Sequence, residues 1–203
     1  MAGWTTYEGK ASLLPIANVD TDQLIPARFM SVPRKDGYGD YLLYDMRRAA
    51  DGTLRADFVL NRHKDTGILI AGPNFGSGSS REAAVYALID AGVRVVIATA
   101  FGDIFASNAV NNGLLPAKVS DAGAETLQRL IGEAPRTLKV DLERGVISTQ
   151  TQSIPFDLQD SWRTKLMNGW DDIDLTLQHA QAIESYKDDR RTTAPWAWPA
   201  GVA

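Results

Sequence analysis

The sequence of 203 residues predicts an α/β domain with a partly parallel sheet. Three observations carry that expectation. A strand, a loop, a helix and a second strand follow one another over residues 67–98. Residues 137–142 and 145–149 alternate like the two arms of a β-hairpin. Beyond them the pattern turns helical. At 44% hydrophobic residues the chain has enough apolar side chains to fill a core of this size.

In chain order, residues 9–18 (GKASLLPIAN) read as a short strand with Pro15 near its end. Val19-Asp20-Thr21-Asp22 comes next, and two aspartates around a threonine signal a turn or a helix cap. Residues 28–39 (RFMSVPRKDGYG) mix basic residues with proline and glycine and read as a long loop, a kind of segment often used for function. Residues 41–46 read as a short helix and residues 57–62 as either a strand or a short helical piece. His63 lies in a polar stretch and is expected to be an exposed loop residue.

Residues 67–71 (GILIA) are too few for a helix and rich in isoleucine, which fits a buried strand. Residues 83–91 (AAVYALIDA) are strong helix formers, Gly92 is placed to close that helix, and residues 93–98 (VRVVIA) form the next strand. A unit of about thirty residues with this order requires parallel pairing through a right-handed crossover. Residues 105–112 read as a helix ended by Asn112-Gly113, with Asn108, Asn111 and Asn112 as local caps. An amphipathic helix over 124–131 precedes the hairpin, which turns at Glu143-Arg144-Gly145. Residues 161–168 and 174–182 read as helices. From Asp188 the chain is charged and then rich in proline and tryptophan, so residues 1–187 are expected to form one domain and residues 188–203 an extended tail.

Composition excludes several function classes. A net charge of −4 and a pI near 5.2 lack the basic footprint of a nucleic-acid binder. With no cysteine, the chain can supply neither a thiolate nucleophile nor a thiolate ligand to iron or zinc. His63 and His179 are far apart in sequence, so any metal chemistry is expected from a partner. No apolar run approaches the roughly twenty residues that span a bilayer, and MAGWTTYEGK has no basic segment leading into an apolar one. A cytoplasmic location without membrane or nucleic-acid partners is the expectation.

The stretch that concentrates chemistry is GILIAGPNFGSGSSRE, residues 67–82. A loop that enters a helix aims backbone N–H groups and serine hydroxyls at whatever lies above the helix start, where the helix dipole also favours an anion. Arg81 adds a fork of donors for a carboxylate or phosphate. Arginine stands where a dinucleotide fingerprint needs its last glycine, no lysine is placed as in a P-loop, and no G-x-S-x-G elbow occurs. Two compatible readings remain. Ser79 or Ser80 caps the helix with Glu82, or the loop is an anion cup.

GSGSSRE, together with NVDTDQLIPARF upstream and AFGDIFASNAVNNGLLP downstream, resembles the small-subunit family of 3-isopropylmalate dehydratase, within the aconitase superfamily. LMNGWDDIDLTLQHAQAIESY near the end is similar to the same branch. The resemblance implies an aconitase-type swivel domain, a three-layer β/β/α arrangement with a C-terminal helical extension. It further implies a hydro-lyase of leucine biosynthesis that isomerises 2-isopropylmalate to 3-isopropylmalate by dehydration and rehydration. Its [4Fe-4S] cluster is carried by a large subunit, the expected partner, and the substrate is a small dicarboxylate. By position, Ser79 matches the family's catalytic base, Ser80 and Arg81 match substrate-carboxylate contacts, and Asp22 matches a site aspartate. Arg34 corresponds to a carboxylate-binding arginine, with Lys35 an equal rival. A sister hydro-lyase acting on homoaconitate or a methylmalate, and a non-catalytic anion-binding assembly module, are the alternatives.

Overall fold

The computed structural model describes residues 2–132, 134–149 and 151–198. The strands are β1 (Thr6–Leu14), β2 (Thr66–Ala71), β3 (Val95–Ala98), β4 (Leu115–Lys118), β5 (Arg136–Asp141), β6 (Val146–Ser148) and β7 (Ser153–Pro155). Short helices α1 (Thr21–Leu24), α2 (Tyr44–Arg47) and α3 (Val59–Arg62) lie between β1 and β2. The longer α4 (Ala83–Asp90), α5 (Asp103–Asn111) and α6 (Asp121–Ile131) follow β2, β3 and β4 in turn, and α7 (Asp160–Asn168), α8 (Asp172–Leu177) and α9 (Ala180–Thr193) close the described chain.

Among the described residues the strands form one sheet in the order β4-β3-β2-β1-β5-β6-β7. The expected partly parallel α/β architecture is present. β1 to β4 pair in parallel, whereas β5 joins β1 antiparallel and continues through β6 to β7. β1 is therefore the seam between the two halves. Its neighbour β2 is buried on both faces, which is why its sequence is a continuous apolar run rather than an alternating one. Leu69 and Ala71 face the core under α1 and α4, and Ile68 and Ile70 face the core under α6 and α7.

The two edge strands have no clear sequence signal, for one reason. Each contains a proline, Pro116 in β4 and Pro155 in β7, and a proline lowers any strand expectation. At an edge, its missing N–H removes no ladder bond and discourages pairing with another chain. Residues 57–62 resolve to the helical alternative, α3. The long loop over residues 28–39 is crossed by three short 3₁₀ turns (Ala27–Phe29, Arg34–Asp36 and Tyr38–Tyr41) and is tied down by Arg28–Asp45 and Arg34–Asp90 ion pairs, and Tyr38 within it is buried.

Two expectations are corrected. His63 is half-buried rather than exposed, with its Nε2 sealed from solvent and without a hydrogen-bond partner among the described residues. The segment from Asp188 is helical as far as Thr193, because α9 carries through on Lys187–Glu184 and Arg191–Asp188 pairs one turn apart. The last five residues of the expected tail lie outside the described residues. No residue of α8 or α9 is buried, and Ile173, Leu177, Tyr186 and Trp196 are exposed.

What holds α8 to the body is a lysine. Lys165 is only 4% exposed, and its Nζ donates to Asp172 Oδ1 and to Asn111 Oδ1, joining α7, α8 and α5. Asn111, expected as a local cap, is instead a long-range tether that also donates to Asp172 Oδ2. Lys165→Ala is expected to lower stability by about 1–3 kcal/mol, through a lost packed stem and an unpaired Asn111; urea denaturation measures this. Lys165 foremost, then Asn111, holds the Asp172 carboxyl below its usual range. A carboxyl depressed on folding stabilises above its unfolded pKa and loses that contribution as pH falls through the folded value. The melting-temperature gap between wild type and Asp172→Asn is therefore expected at neutral pH and should narrow progressively as pH falls below about 4.

Candidate active site

Parallel pairing of β1 with β2 brings the residues after each strand alongside one another. The chain leaving β1 continues the pairing beyond the sheet. Asn18 N donates to Pro73 O, Gly76 N to Val19 O at 2.7 Å, and Thr21 N to Ser77 O at 2.9 Å, the last within an isolated parallel bridge between Asp20 and Ser77. The loop after β3 joins from the other side through a Phe75–Phe101 bridge. Three loops at the carboxyl ends of adjacent parallel strands thus meet at residues 75–79. That edge is where ligands bind in open α/β sheets.

Gly76 makes this meeting sterically possible. Its φ is +73°, and a Cβ there would lie 2.2 Å from the Phe105 ring, so both conformation and space exclude a side chain. Gly102 is equally constrained, since a Cβ would lie 2.5 Å from Gly76 O. Phe105 fills the space beneath, edge-on to Phe75 with ring centroids 5.5 Å apart.

The two aspartates of Val19-Asp20-Thr21-Asp22 divide their roles. Asp20 caps α1 in a capping box with Gln23. Asp22 accepts an ion pair from Arg81 Nη1. Between them, Thr21 Oγ1 donates to Ser79 O at 3.2 Å and pins the serine backbone. Arg81 is 22% exposed and Asp22 57%, so the guanidinium lies against the body with its partner on the open side.

Ser79 and Ser80 are exposed and do not cap α4. The N-cap position is Glu82, with no side-chain cap hydrogen bond. Among the described residues, the N–H groups of Ser79, Ser80, Arg81 and Glu82 donate no hydrogen bond within the chain. Free donors, two free hydroxyls and an arginine therefore stand at the start of α4, where its dipole adds positive potential. The anion-cup reading fits this geometry, and the capping reading does not.

Sequence reasoning missed a tether at this helix start. Asn112 Nδ2 donates to Glu82 Oε1 at 2.7 Å, fixing the end of α5 to the start of α4. Asn112-Gly113 reads only as a helix stop, and nothing local identifies the distant acceptor. Arg34 is not brought to the cup. It donates to Asp90 through Nη2 at 2.9 Å and Nε at 3.3 Å and lies over the Tyr86 ring at 3.9 Å, at the other end of α4. Its guanidinium pKa is raised chiefly by the Asp90 hydrogen bond. Eight helical residues set these ends about 12 Å apart. Lys35 is exposed. A cavity of about 370 Å³ also lies away from the cup, at the opposite edge of the sheet near Thr66 and Val93.

Residues 1–122 match the family model of the aconitase C-terminal domain, and residues 172–199 match that of the C-terminal domain of 3-isopropylmalate dehydratase small subunits. The 3-isopropylmalate dehydratase small subunit of Rhodospirillum centenum is 43% identical over 201 residues, which cover 97% of this chain and 99% of the relative. That of Shouchella clausii is 44% identical over 183 residues, 89% and 93% of the two chains. A crystal structure of 3-isopropylmalate dehydratase from Methanocaldococcus jannaschii matches with a TM-score of 0.63 at 25% identity, covering 90% of this chain and 99% of that one.

Gly76→Ala is expected to lose about 2 kcal/mol or more of stability, from the left-handed backbone and the clash with Phe105. Urea denaturation measures the loss. An unchanged midpoint would show that the loop relaxes freely.

Proposed function

The chain belongs to the 3-isopropylmalate dehydratase small-subunit family, and from that premise we propose that its Gly76–Glu82 loop is half of a hydro-lyase active site completed by a large subunit. The reaction is the isomerisation of 2-isopropylmalate to 3-isopropylmalate in leucine biosynthesis. One observation carries the split-site reading. The serine donors before α4 lie on an exposed surface, so this chain alone leaves a bound dicarboxylate largely in water. Electrostatic stabilisation of developing charge is effective only where water is excluded. A second protein surface supplies that exclusion.

In this proposal Ser79 Oγ takes the proton from the carbon next to a carboxylate, and the same hydroxyl later returns a proton when water adds in the opposite sense. A serine hydroxyl is a weak acid, so its conjugate base requires positive surroundings. The free N–H groups before α4 and the Arg81 guanidinium are of that type. Arg81 offers its remaining donors to a substrate carboxylate, and Ser80 adds a hydroxyl donor. Asp22 orients Arg81, leaving a fork held ready rather than one to be ordered on binding. Arg34 contacts substrate only by leaving Asp90, so we assign it no place in the cup as it stands.

A [4Fe-4S] cluster, where bound, supplies a Lewis acid for the departing hydroxyl. This chain does not fit such a group: its sequence has no cysteine, and among the described residues no three His, Asp or Glu side chains converge. We accordingly place the cluster on the large subunit. Among the described residues no helix is long and apolar enough to cross a membrane, which accords with a proposed cytoplasmic location.

Mixing the chain with its large subunit and following formation of the unsaturated intermediate by absorbance tests the proposal. Turnover is expected only from the mixture, and turnover by this chain alone would overturn the split site. Ser79→Ala is expected to reduce kcat by at least about a thousandfold while co-purification with the large subunit is retained. Arg81→Lys keeps the charge but loses the fork, and is expected to lower kcat/KM by about a hundredfold.

A further inference from the structure

The cavity of about 370 Å³ at the far edge of the sheet is independent of the proposed reaction. Its walls include Arg47, Arg48 and Lys64, three cations contributed by the end of α2 and the turn after α3. Among the described residues, none of the three has a carboxylate within ion-pair distance. Three nearby arginines, Arg28, Arg34 and Arg55, are each paired with an aspartate, which these three cations are not.

Arg47 is half-buried, and its Nε and Nη1 are committed to Asn61 Oδ1 and to the carbonyls of Gly39 and Leu42, leaving Nη2 without a bond among the described residues. Burial foremost, then the neighbouring charge of Arg48, lowers its pKa below the usual arginine value, with Asp40 opposing them. Within the same set of residues, Arg48 donates only through Nη1, to Gly52 O at 2.8 Å, and Lys64 donates to nothing. Two carboxylates share the wall. Asp90 is engaged by Arg34, and Asp40 stands outside ion-pair range of any described cation, so the cavity keeps excess positive charge. His63 also lines it, with its Nε2 sealed from water. The remaining wall sets the leucines Leu54 and Leu60 beside Thr66, Ala91 and the backbone of Gly37 and Gly39. A half-buried cation bonded only to neutral oxygens is costly, and an anion entering the cavity relieves that cost. The volume lies in the range of small-molecule sites, where apolar walls carry a few convergent polar groups.

We propose that this cavity binds a small carboxylate with an aliphatic body, its charge held by Arg47, Arg48 and Lys64 and its apolar part against Leu54 and Leu60. The mixture of walls favours this class over inorganic phosphate, which would leave the leucines without a partner. The site is separate from the proposed catalytic cup, at the opposite end of α4.

The test is a titration of the full 203-residue chain with sodium 4-methylpentanoate, followed by 1H–15N NMR, with 4-methylpentan-1-ol, inorganic phosphate and sodium chloride as parallel arms. Saturable shifts are expected over residues 47–54 and 60–66 with the carboxylate alone. The double variant Arg48→Gln/Lys64→Gln, which leaves the carbonyl-bonded Arg47 in place, is expected to weaken binding by about tenfold or more. Four results would overturn the proposal: no saturable binding, shifts confined to residues 76–82, equal binding of the alcohol or phosphate, or undiminished binding by a double variant that melts like wild type.

Discussion

The parallel pairing of β1 with β2 is the constraint on which the rest of the structure depends. These strands are separated by more than fifty residues of chain, yet their register continues past the sheet into the contacts of Val19 with Gly76 and Asp20 with Ser77. Without that register, Asp22 and Arg81 would have no reason to meet. Polar atoms support the pairing from inside, since Ser12 and Thr66 share a buried hydroxyl contact at 2.7 Å and Thr66 Oγ1 also donates to His63 O. A slip of one residue would break the Ser12–Thr66 contact and turn Ile68 and Ile70 to the wrong face.

The cup is built by a division of polar labour. Backbone groups fix position, through Thr21 to Ser79 and Gly76 to Val19, while side chains on the open side remain unsatisfied. An isolated enzyme would bury such donors. Here they are exposed and cost little in water, which suits a surface whose partner arrives later. The second tether, Asn112 to Glu82, ties the start of α4 to the end of α5 although the serine hydroxyls themselves are free. Tethered backbone with free side-chain donors is the arrangement expected of a preorganised anion site.

The helix α4 connects two regions of contrasting character. At its start lie the serines and Arg81. At its end, Asp90 and Tyr86 hold Arg34 by a forked hydrogen bond and a ring contact. Burial foremost, and a hydrogen bond to Glu82, raise the Tyr86 hydroxyl pKa above its ordinary value, so this ring stays neutral throughout the physiological range. Beyond Asp90 the basic cavity opens on the other edge of the sheet.

The sequence by itself determined β2, α4 and β3, because a doubly buried strand must be continuously apolar and a glycine must close the helix. It also determined that Ser79, Ser80 and Arg81 precede a helix, and that no cysteine is present to hold a metal cluster. The edge strands β4 and β7 were illegible, since proline is tolerated in a strand only where the fold puts it at an edge. Only the tertiary structure decided that Asp20 caps while Asp22 pairs with Arg81, that Asn111 and Asn112 are tethers, and that Arg34 turns to Asp90. The physical reason is common to all of them. Local pattern fixes which backbone groups are satisfied within a few residues, whereas a side chain's partner depends on which distant strand ends the sheet brings together.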